Sequence, residues 1–190
     1  MKKNEYIICV DMDDTIEDLL PTWLKWIEKL YNIHRDIEDI TDWDLENFFP
    51  LTKEEIFQPL MIDDFWKDVR PKKDAVKYLK QLKEDGFKIF ICTHSHYKTL
   101  PSKMENVLFK YFPYIEWNDV IVMHRKQLVN CDVLIDDGYH NLYGGKYHKI
   151  LFDRPWNRKI SDDSVVMLDN WKDIYDQVNQ WYLEDMVKNY

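Results

Sequence analysis

Five short, mainly apolar runs of residues constrain the fold of this chain more than any other feature. They lie at residues 6–10, 88–92, 120–122, 133–135 and 149–152. Continuous apolar runs are typical of strands that are covered on both faces, whereas strands with one solvent-exposed face alternate apolar and polar residues. The runs therefore predict a parallel sheet buried between two layers of helices.

Segments with helical spacing separate several of these runs. Ala75, Val76, Leu79 and Leu82 form one apolar stripe, and Gly86 follows at the position where a glycine often ends a helix. Alternating strands and helices predict an α/β fold, with a Rossmann-like parallel sheet flanked by helices.

Three further signals predict where helices begin. Thr52 with Glu55, and Ser102 with Glu105, match the capping box, in which a hydroxyl and a carboxylate cap one helix start reciprocally. Asp169 is predicted to cap the last helix.

Residues 19–70 interrupt the alternation, because they contain no strand-like run. They are rich in aromatic residues: Trp23, Trp26, Trp43, Phe48, Phe49, Phe57, Phe65 and Trp66. This segment leaves after the first strand and returns at Pro71, so we expect a small helical cap over the carboxyl edge of the sheet, where ligands of such folds bind. Residues 1–18 and 71–190 are expected to form the core domain.

Two pairs of carboxylates follow two of the predicted strands. Asp11 and Asp13 come directly after the first run, and Asp136 and Asp137 follow the run at 133–135. Carboxylates two residues apart in an extended segment cannot both enter an apolar core, so they face water, a metal or a substrate. For the first pair alone, an acidic loop that caps the next helix explains the pattern equally well.

Gathering the four carboxylates in one cleft requires a cation. Unit charges ~4 Å apart repel by about 4 kcal/mol at an effective dielectric constant near 20. Oxygen ligands without His or Cys favour Mg²⁺, which shares its coordination with substrate phosphate. The acidic pairs therefore predict a Mg²⁺ site that binds a phosphorylated small molecule.

Thr93 and Lys126 are candidates for binding the phosphoryl group. Thr93 ends the second run, and Lys126 lies ten residues before Asp136. A strand-end hydroxyl with neighbouring backbone N–H groups, together with an ammonium group, can hold phosphoryl oxygens. Each residue alone also has an ordinary interpretation, as a turn residue and a solvated lysine.

Charge and cysteine content exclude several classes of protein. The 26 Lys and Arg against 35 Asp and Glu give a net charge of −9, which disfavours binding to a nucleic acid polymer or a membrane surface. The first apolar run is too short for a signal peptide or a membrane span, so we expect a cytoplasmic protein. The three cysteines show no CxxC spacing, so neither a disulfide framework nor a structural zinc site is indicated. The sequence is compatible with either a monomer or a homodimer.

In sequence order, these motifs resemble those of the haloacid dehalogenase (HAD) superfamily of phosphohydrolases. The chain is most similar to the 5′(3′)-deoxyribonucleotidases, through its Asp-Met-Asp motif at residues 11–13, Phe-Ile-Cys-Thr at 90–93 and Asp-Val-Leu-Ile-Asp-Asp at 132–137. The resemblance implies that Asp11 is the nucleophile, which forms an aspartyl-phosphate, and that Asp13 is the general acid and base. It also implies Mg²⁺ binding by Asp11, Asp136 and the Asp13 carbonyl, and phosphate binding by Thr93 and Lys126.

The substrate contacts are predicted from the aromatic segment and from two histidines. Phe65 and Trp66 are candidates for stacking on a base, although an insertion of this size also needs aromatic residues for its own core. His94 follows Thr93, and His124 stands where the family has an arginine near the phosphate.

Three hypotheses for the function follow. The first is a 5′-nucleotidase, and the second is a HAD phosphatase for another small metabolite such as a sugar phosphate. The third is a phospho-accepting signalling domain without turnover, which also places acidic residues, a threonine and a lysine around Mg²⁺.

Overall fold

A computed structural model describes residues 2–188 and contains one six-stranded sheet. Its strands are β1 (Ile7–Val10), β2 (Lys88–Thr93), β3 (Val120–Val122), β4 (Val133–Asp136), β5 (His148–Phe152) and β6 (Val165–Leu168). All neighbouring strands are parallel, and their order is β3-β2-β1-β4-β5-β6. The predicted α/β class and parallel sheet are confirmed, and each predicted strand is found within one residue at either end.

The sixth strand was not predicted. Residues 165–168 are all apolar, so the sequence does carry a signal there. In the structure β6 pairs only with β5 at the edge of the sheet, and its residues are half-buried or exposed. Such a strand contributes less to the core than the central strands do.

Helices cover both faces of the sheet. They are α1 (Leu19–Tyr31), α2 (Lys53–Phe57), α3 (Asp63–Asp68), α4 (Ala75–Glu84), α5 (Leu100–Lys103), α6 (Phe109–Tyr111), α7 (Tyr139–Leu142) and α8 (Trp171–Lys188). A stretch of π-helix, Met104–Leu108, joins α5 to α6. Gly86 follows α4 with φ +98°, a conformation that favours glycine, as the sequence predicts.

The predicted helix starts have mixed outcomes. Thr52 accepts a hydrogen bond from the Glu55 N–H, which confirms that capping box. The prediction for Ser102 is wrong, because α5 begins at Leu100 and the Ser102 hydroxyl donates to Asp63 Oδ1 at 2.5 Å.

The cap of α8 is also different from the prediction. Asn170, rather than Asp169, accepts the hydrogen bond of the Asp173 N–H, at 2.9 Å. Asp169 precedes Asn170 and instead accepts from the Asn170 side-chain amide. Either residue type suits a helix start, so the choice between adjacent candidates depended on backbone geometry.

The central strands position the loops that follow them. Ile8, Val10, Val133 and Ile135 are fully buried in the main core, whereas Leu134 and its neighbours bury the opposite face. Because β1 and β4 are adjacent and parallel, the loops after Val10 and Ile135 emerge side by side. The Asp11 N–H donates to the Ile135 carbonyl at 2.8 Å, which extends the pairing to the first carboxylate.

Residues 19–70 are helical and pack against themselves. They contain α1, α2, α3 and three 3₁₀ turns, and no strand lies within them. The Trp23 indole N–H donates to the Ile56 carbonyl at 2.6 Å, and that of Trp26 donates to Asp68 at 3.0 Å. Among residues 2–188, no helix is both long enough and apolar enough to cross a lipid bilayer.

Candidate active site

The loop after β1 directs consecutive side chains in different directions. Asp11 is 5% exposed and faces the acidic pair after β4, whereas Met12 is fully buried in the main core. Asp13 is half-buried. This alternation separates the two carboxylates of the motif from the apolar side chain between them.

Asp14, in the same loop, has a structural role. Its φ is +52°, a left-handed conformation that aspartate tolerates better than most residues. Its Oδ2 accepts a hydrogen bond from the Leu20 N–H in the first turn of α1, at 3.0 Å. The two interpretations of the acidic loop therefore both apply: Asp14 caps a helix, and Asp11 faces the acidic cluster.

The second acidic pair is fixed by short hydrogen bonds. Asp136 is fully buried, and its Oδ1 accepts from the Gly138 N–H at 2.8 Å and from the Asn141 amide at 2.9 Å. A Cβ at Gly138 would lie 3.1 Å from that same oxygen, so the glycine allows the close approach. The neighbouring Asp137 accepts from the Trp156 indole at 3.1 Å.

Lys126 connects the two acidic segments. Its Nζ lies 2.5 Å from Asp11 Oδ1 and 2.7 Å from Asp136 Oδ2, and its side chain is 2% exposed. Burial lowers the pKa of Lys126, but Asp11 and Asp136 raise it by more, so the net pKa lies above the ordinary value. The ammonium group therefore stays charged.

The remaining carboxylates are not fully balanced by this lysine. Oxygen atoms of Asp11, Asp136 and Asp137 all lie within 4.8 Å of one another, and all three residues are buried. Burial raises the pKa of Asp11 to about 7 despite the opposing effect of Lys126. Burial, followed by the charges of Asp136 and Asp11, also raises the pKa of Asp137. Three buried carboxylates that share one lysine fit a hard divalent cation.

Asp13 has a different partner, Lys103, which sequence reasoning missed. Lys103 Nζ lies 2.6 and 2.7 Å from the two carboxylate oxygens of Asp13 and donates to Thr93 Oγ1 at 2.9 Å. Burial raises the pKa of Asp13, but Lys103, a hydrogen bond with Glu17 and the charge of Lys126 together lower it by more, so the net pKa is below the ordinary value. The available signal was a lysine on the apolar helix face between Leu100 and Val107.

Glu17 is a second residue that sequence reasoning missed. It is fully buried, no donor of the described residues reaches its carboxylate oxygens, and its carboxyl group lies within hydrogen-bonding reach of Asp13. Burial, and then the charge of Asp13, raise its pKa well above the ordinary value. A protonated Glu17 beside Asp13 is the form that this environment favours.

The four predicted substrate residues lie in contrasting environments. Phe65 is fully buried between Trp26 and Trp66, so the structure places it in the core of the helical segment. Trp66 is 3% exposed, and its ring centroid lies 5.8 Å from Lys103 Nζ.

Both histidines are exposed, and their rings lie together, with His94 directly after β2 and His124 shortly after β3. The centroids of His94 and His124 are 4.7 Å apart. Burial lowers the pKa of His94, and His124 lowers it further. Neither histidine belongs to a group of three metal-ligating side chains in the described part of the chain.

Comparison with solved structures defines the class of protein. A haloacid dehalogenase-like hydrolase of Streptococcus pneumoniae has a TM-score of 0.63 at 14% identity, covering 91% of this chain and 98% of its own. A HAD hydrolase of Bacillus subtilis, solved with bound magnesium, has a TM-score of 0.56 at 12% identity, covering 92% and 98%. The chain therefore has the HAD-like hydrolase fold.

Sequence comparison identifies the family within that class. The family described as 5′ nucleotidase, deoxy (Pyrimidine), cytosolic type C protein matches residues 5–182. The 5′(3′)-deoxyribonucleotidase of Bacillus subtilis (strain 168) is 30% identical over 92% of this chain and 97% of its own length. That of Clostridium acetobutylicum is 32% identical over 88% and 92%. The chain belongs to this nucleotidase family, which confirms the resemblance drawn from its motifs.

Proposed function

We propose that this protein is a Mg²⁺-dependent phosphomonoester hydrolase that acts as a 5′-nucleotidase on (deoxy)nucleoside monophosphates. The observation that carries the proposal is the position of two carboxylates from one strand end. Asp11 contacts Lys126 within the acidic cluster, whereas Asp13 contacts Lys103 beside Thr93. Two carboxylates with different surroundings suit two different chemical roles.

Asp11 is the proposed nucleophile. A carboxylate oxygen of Asp11 attacks phosphorus, the bond from phosphorus to the leaving oxygen breaks, and an aspartyl-phosphate forms. The contact with Lys126 favours the ionised carboxylate that this step needs, and the Lys126 charge also offsets that of the phosphoryl group. Thr93, at the end of β2, is the proposed hydroxyl donor to a phosphoryl oxygen.

Asp13 is the proposed general acid and base. The surroundings of Asp13 favour its ionised form, so the proton that it gives to the leaving alkoxide in the first step must come from the bound substrate, as the monoanion of the phosphomonoester. In the second step it takes a proton from the water that attacks the aspartyl-phosphate. The second step regenerates Asp11 and releases inorganic phosphate. Proton transfer by a positioned side chain contributes on the order of 10² to 10⁴ in rate.

Mg²⁺ is the proposed cofactor, held by Asp11, Asp136 and the Asp13 carbonyl, with Asp137 in support. All of these donors are oxygens, and three of the side chains already converge within 4.8 Å. When bound, Mg²⁺ supplies positive charge that compensates the carboxylates and the phosphoryl oxygens.

Residues 19–70 are the proposed cap, and residues 1–18 and 71–190 the proposed core domain. The two connections between these parts run side by side, since the Asp18 N–H donates to the Arg70 carbonyl and the Lys72 N–H to the Ile16 carbonyl, each at 2.9 Å. Both connections adjoin the Asp13 loop. A cap attached there can close over a substrate and exclude water.

The names of the curated relatives support a nucleotide as substrate, because both are 5′(3′)-deoxyribonucleotidases. His94 and His124 are exposed after the adjacent strands β2 and β3, where they are available to a substrate. Phe65 is unsuited to stacking on a base in this arrangement, and Trp66 offers only a small exposed area. The histidines are therefore the better candidates among the four predicted residues.

The alternatives are a HAD phosphatase for another phosphorylated metabolite, such as a sugar phosphate, and a phospho-accepting signalling domain. The helical segment of residues 19–70 argues against the signalling domain, which needs no cap. Turnover separates the signalling domain from the nucleotidase and from the other HAD phosphatase.

A substrate panel tests the proposal. Purified protein with Mg²⁺ is assayed for phosphate release from nucleoside and deoxynucleoside 5′- and 3′-monophosphates, sugar phosphates and 4-nitrophenyl phosphate. We expect turnover of nucleoside monophosphates that stops with EDTA and returns with Mg²⁺. Activity on sugar phosphates alone would favour the second hypothesis, and a stable phosphoprotein without phosphate release would favour the third.

A further inference from the structure

Lys103 is a fully enclosed lysine beside the candidate active site. Its side chain is 0% exposed. An ammonium group has three N–H donors, and three polar side chains surround this one. The donors reach Asp13 Oδ2 at 2.7 Å, Thr93 Oγ1 at 2.9 Å and Ser95 Oγ at 3.0 Å.

The surroundings of Lys103 fix its position from two sides. On its own helical segment it is flanked by Met104 and Val107, which are buried in the main core. On the other side the Trp66 ring lies against the ammonium group, 5.8 Å from Nζ to the ring centroid. The preceding residue, Ser102, donates to Asp63 in α3. The helical segment of residues 19–70 thus holds the same turn that carries Lys103.

A purely structural role explains this lysine poorly. Burying an ion pair carries a desolvation penalty, and well-packed apolar residues often stabilise a fold as well or better. The apolar face around Lys103 could accommodate a leucine or methionine. A charge at this position, next to one acid of the catalytic motif, is better explained by what it does to its polar neighbours.

The contacts have a direct consequence for Thr93. Its hydroxyl oxygen accepts a hydrogen bond from Lys103, so the hydroxyl proton is left to donate to a different acceptor. They have a parallel consequence for Asp13, because an ammonium group 2.6 and 2.7 Å from its two oxygens fixes the orientation of the carboxylate.

We propose that Lys103 is a positioning residue for the phosphatase reaction, holding the Asp13 carboxyl group toward the leaving oxygen and the Thr93 hydroxyl toward the phosphoryl group. Trp66 in turn holds Lys103. This inference rests on the function proposed above. Asp13 donates a proton as the bond to the leaving oxygen breaks and accepts one from water in the second step, so both steps depend on its orientation.

The test compares Lys103→Met with Lys110→Met, an exposed lysine of the same helical segment that serves as the matched control. Each is assayed on a nucleoside 5′-monophosphate, whose alkoxide must be protonated to leave, and on 4-nitrophenyl phosphate, whose phenolate leaves without a proton. For Lys103→Met we expect kcat/KM to fall on the order of 10² to 10⁴ on the nucleotide, the size of a lost general-acid contribution. On 4-nitrophenyl phosphate we expect a loss of about tenfold or less. Lys110→Met should match wild type on both.

A second measurement reports on the hydrolysis of the aspartyl-phosphate. In Lys103→Met, 4-nitrophenyl phosphate should still phosphorylate Asp11, but hydrolysis of the aspartyl-phosphate should be slow. We therefore expect a burst of one equivalent of 4-nitrophenol, followed by slow turnover. In an Asp13→Asn background, Lys103→Met should add little further loss on the nucleotide, because Asp13 is no longer there to be oriented.

Equal losses on both substrates, full additivity with Asp13→Asn, or wild-type activity in Lys103→Met would each overturn the proposal. Should Lys103→Met fail to fold, Ser95→Ala replaces it, since this variant keeps the charge and removes one of the three hydrogen-bond acceptors. Its kcat/KM should fall several-fold on the nucleotide only, and an equal fall on both substrates would be contrary to the proposal. Failure of the proposed function is distinguishable, because wild type would then release no phosphate or Asp11→Asn would remain active.

Discussion

Two buried lysines organise the two halves of the candidate site, and they do so in different ways. Lys126, 2% exposed, lies between Asp11 and Asp136 within a cluster of three carboxylates. Lys103, 0% exposed, contacts one carboxylate and two neutral hydroxyl groups. The first lysine offsets an excess of negative charge, whereas the second fixes the geometry of its neighbours. The same side chain thus meets two different needs within one site.

The largest expected effect comes from replacing the two carboxylates that these lysines contact, Asp11 and Asp13, because the two variants should depend differently on the substrate. Asp11→Asn removes the proposed nucleophile, and we expect kcat to fall by about 10⁴ or more on every substrate. For Asp13→Asn, kcat should fall on the order of 10² to 10⁴ on nucleoside monophosphates and by less on 4-nitrophenyl phosphate. Steady-state phosphate release measures both variants.

The control for these variants is Asp163→Asn, which changes an exposed aspartate outside the site and should match wild type. Circular dichroism should show that all three variants fold. If Asp11→Asn kept more than a small fraction of the wild-type rate, the nucleophile would be misassigned. Identical substrate dependence for Asp11→Asn and Asp13→Asn would remove the distinction between the two halves.

A smaller effect is expected when the charge-offsetting lysine is removed. Lys126→Met leaves buried carboxylates without their cation, so without Mg²⁺ we expect a loss of about 3–5 kcal/mol in the free energy of unfolding. Added Mg²⁺ should restore much of that stability, because the ion binds the folded cluster. Lys103→Met should show no comparable Mg²⁺ rescue, since Lys103 contacts Asp13 and none of the three carboxylates of the acidic cluster.

Denaturant unfolding with EDTA and with Mg²⁺ measures this contrast, and Lys110→Met again serves as the control. Activity of Lys126→Met should fall on the order of 10² to 10³, as for loss of one group that stabilises developing charge. An equal response of both lysine variants to Mg²⁺ would show that the two halves are not electrostatically distinct.

The sequence predicts the fold well where burial dominates the pattern. The central strands β1 and β4 are continuous apolar runs, and their parallel pairing brings Asp11 beside Asp136. The edge strand β6 was missed although its four residues are all apolar, whereas the other edge strand, β3, was predicted from a run of three. The starts of α5 and α8 were misplaced, because neighbouring Ser, Thr, Asp and Asn residues all suit a cap and only backbone geometry selects one.

The sequence predicts the candidate site best where side chains follow strands, and Lys126, in the loop between β3 and β4, was predicted only from its place among the other motifs. Asp11, Thr93 and Asp136 stand at strand ends, and a parallel sheet brings such ends to one edge. Lys103 stands on a helix, so its contact with Asp13 depends on how that helix packs, which linear spacing does not reveal. Glu17 was missed for the same reason, since its burial results from the pairing of its loop with Pro71.

The smallest expected effect concerns Glu17, the fully buried carboxyl group beside Asp13. Its pKa in the folded protein lies above its ordinary value of 4.5, because of burial and the charge of Asp13. The folded protein therefore keeps a proton on Glu17 that the unfolded chain releases, so this stabilising contribution is complete below about pH 4.5 and is lost as the pH rises toward the folded pKa. Glu17→Gln cannot ionise, so it should gain stability relative to wild type between pH 5 and pH 8. We expect this gain to reach roughly 2–4 °C in Tm, the shift that about 1 kcal/mol produces in a chain of this length. Thermal unfolding at both pH values, with the exposed Glu54→Gln as control, measures it. The same Tm difference at pH 5 and pH 8 would mean that Glu17 is ionised in the folded protein and that Lys103, rather than a retained proton, compensates its charge.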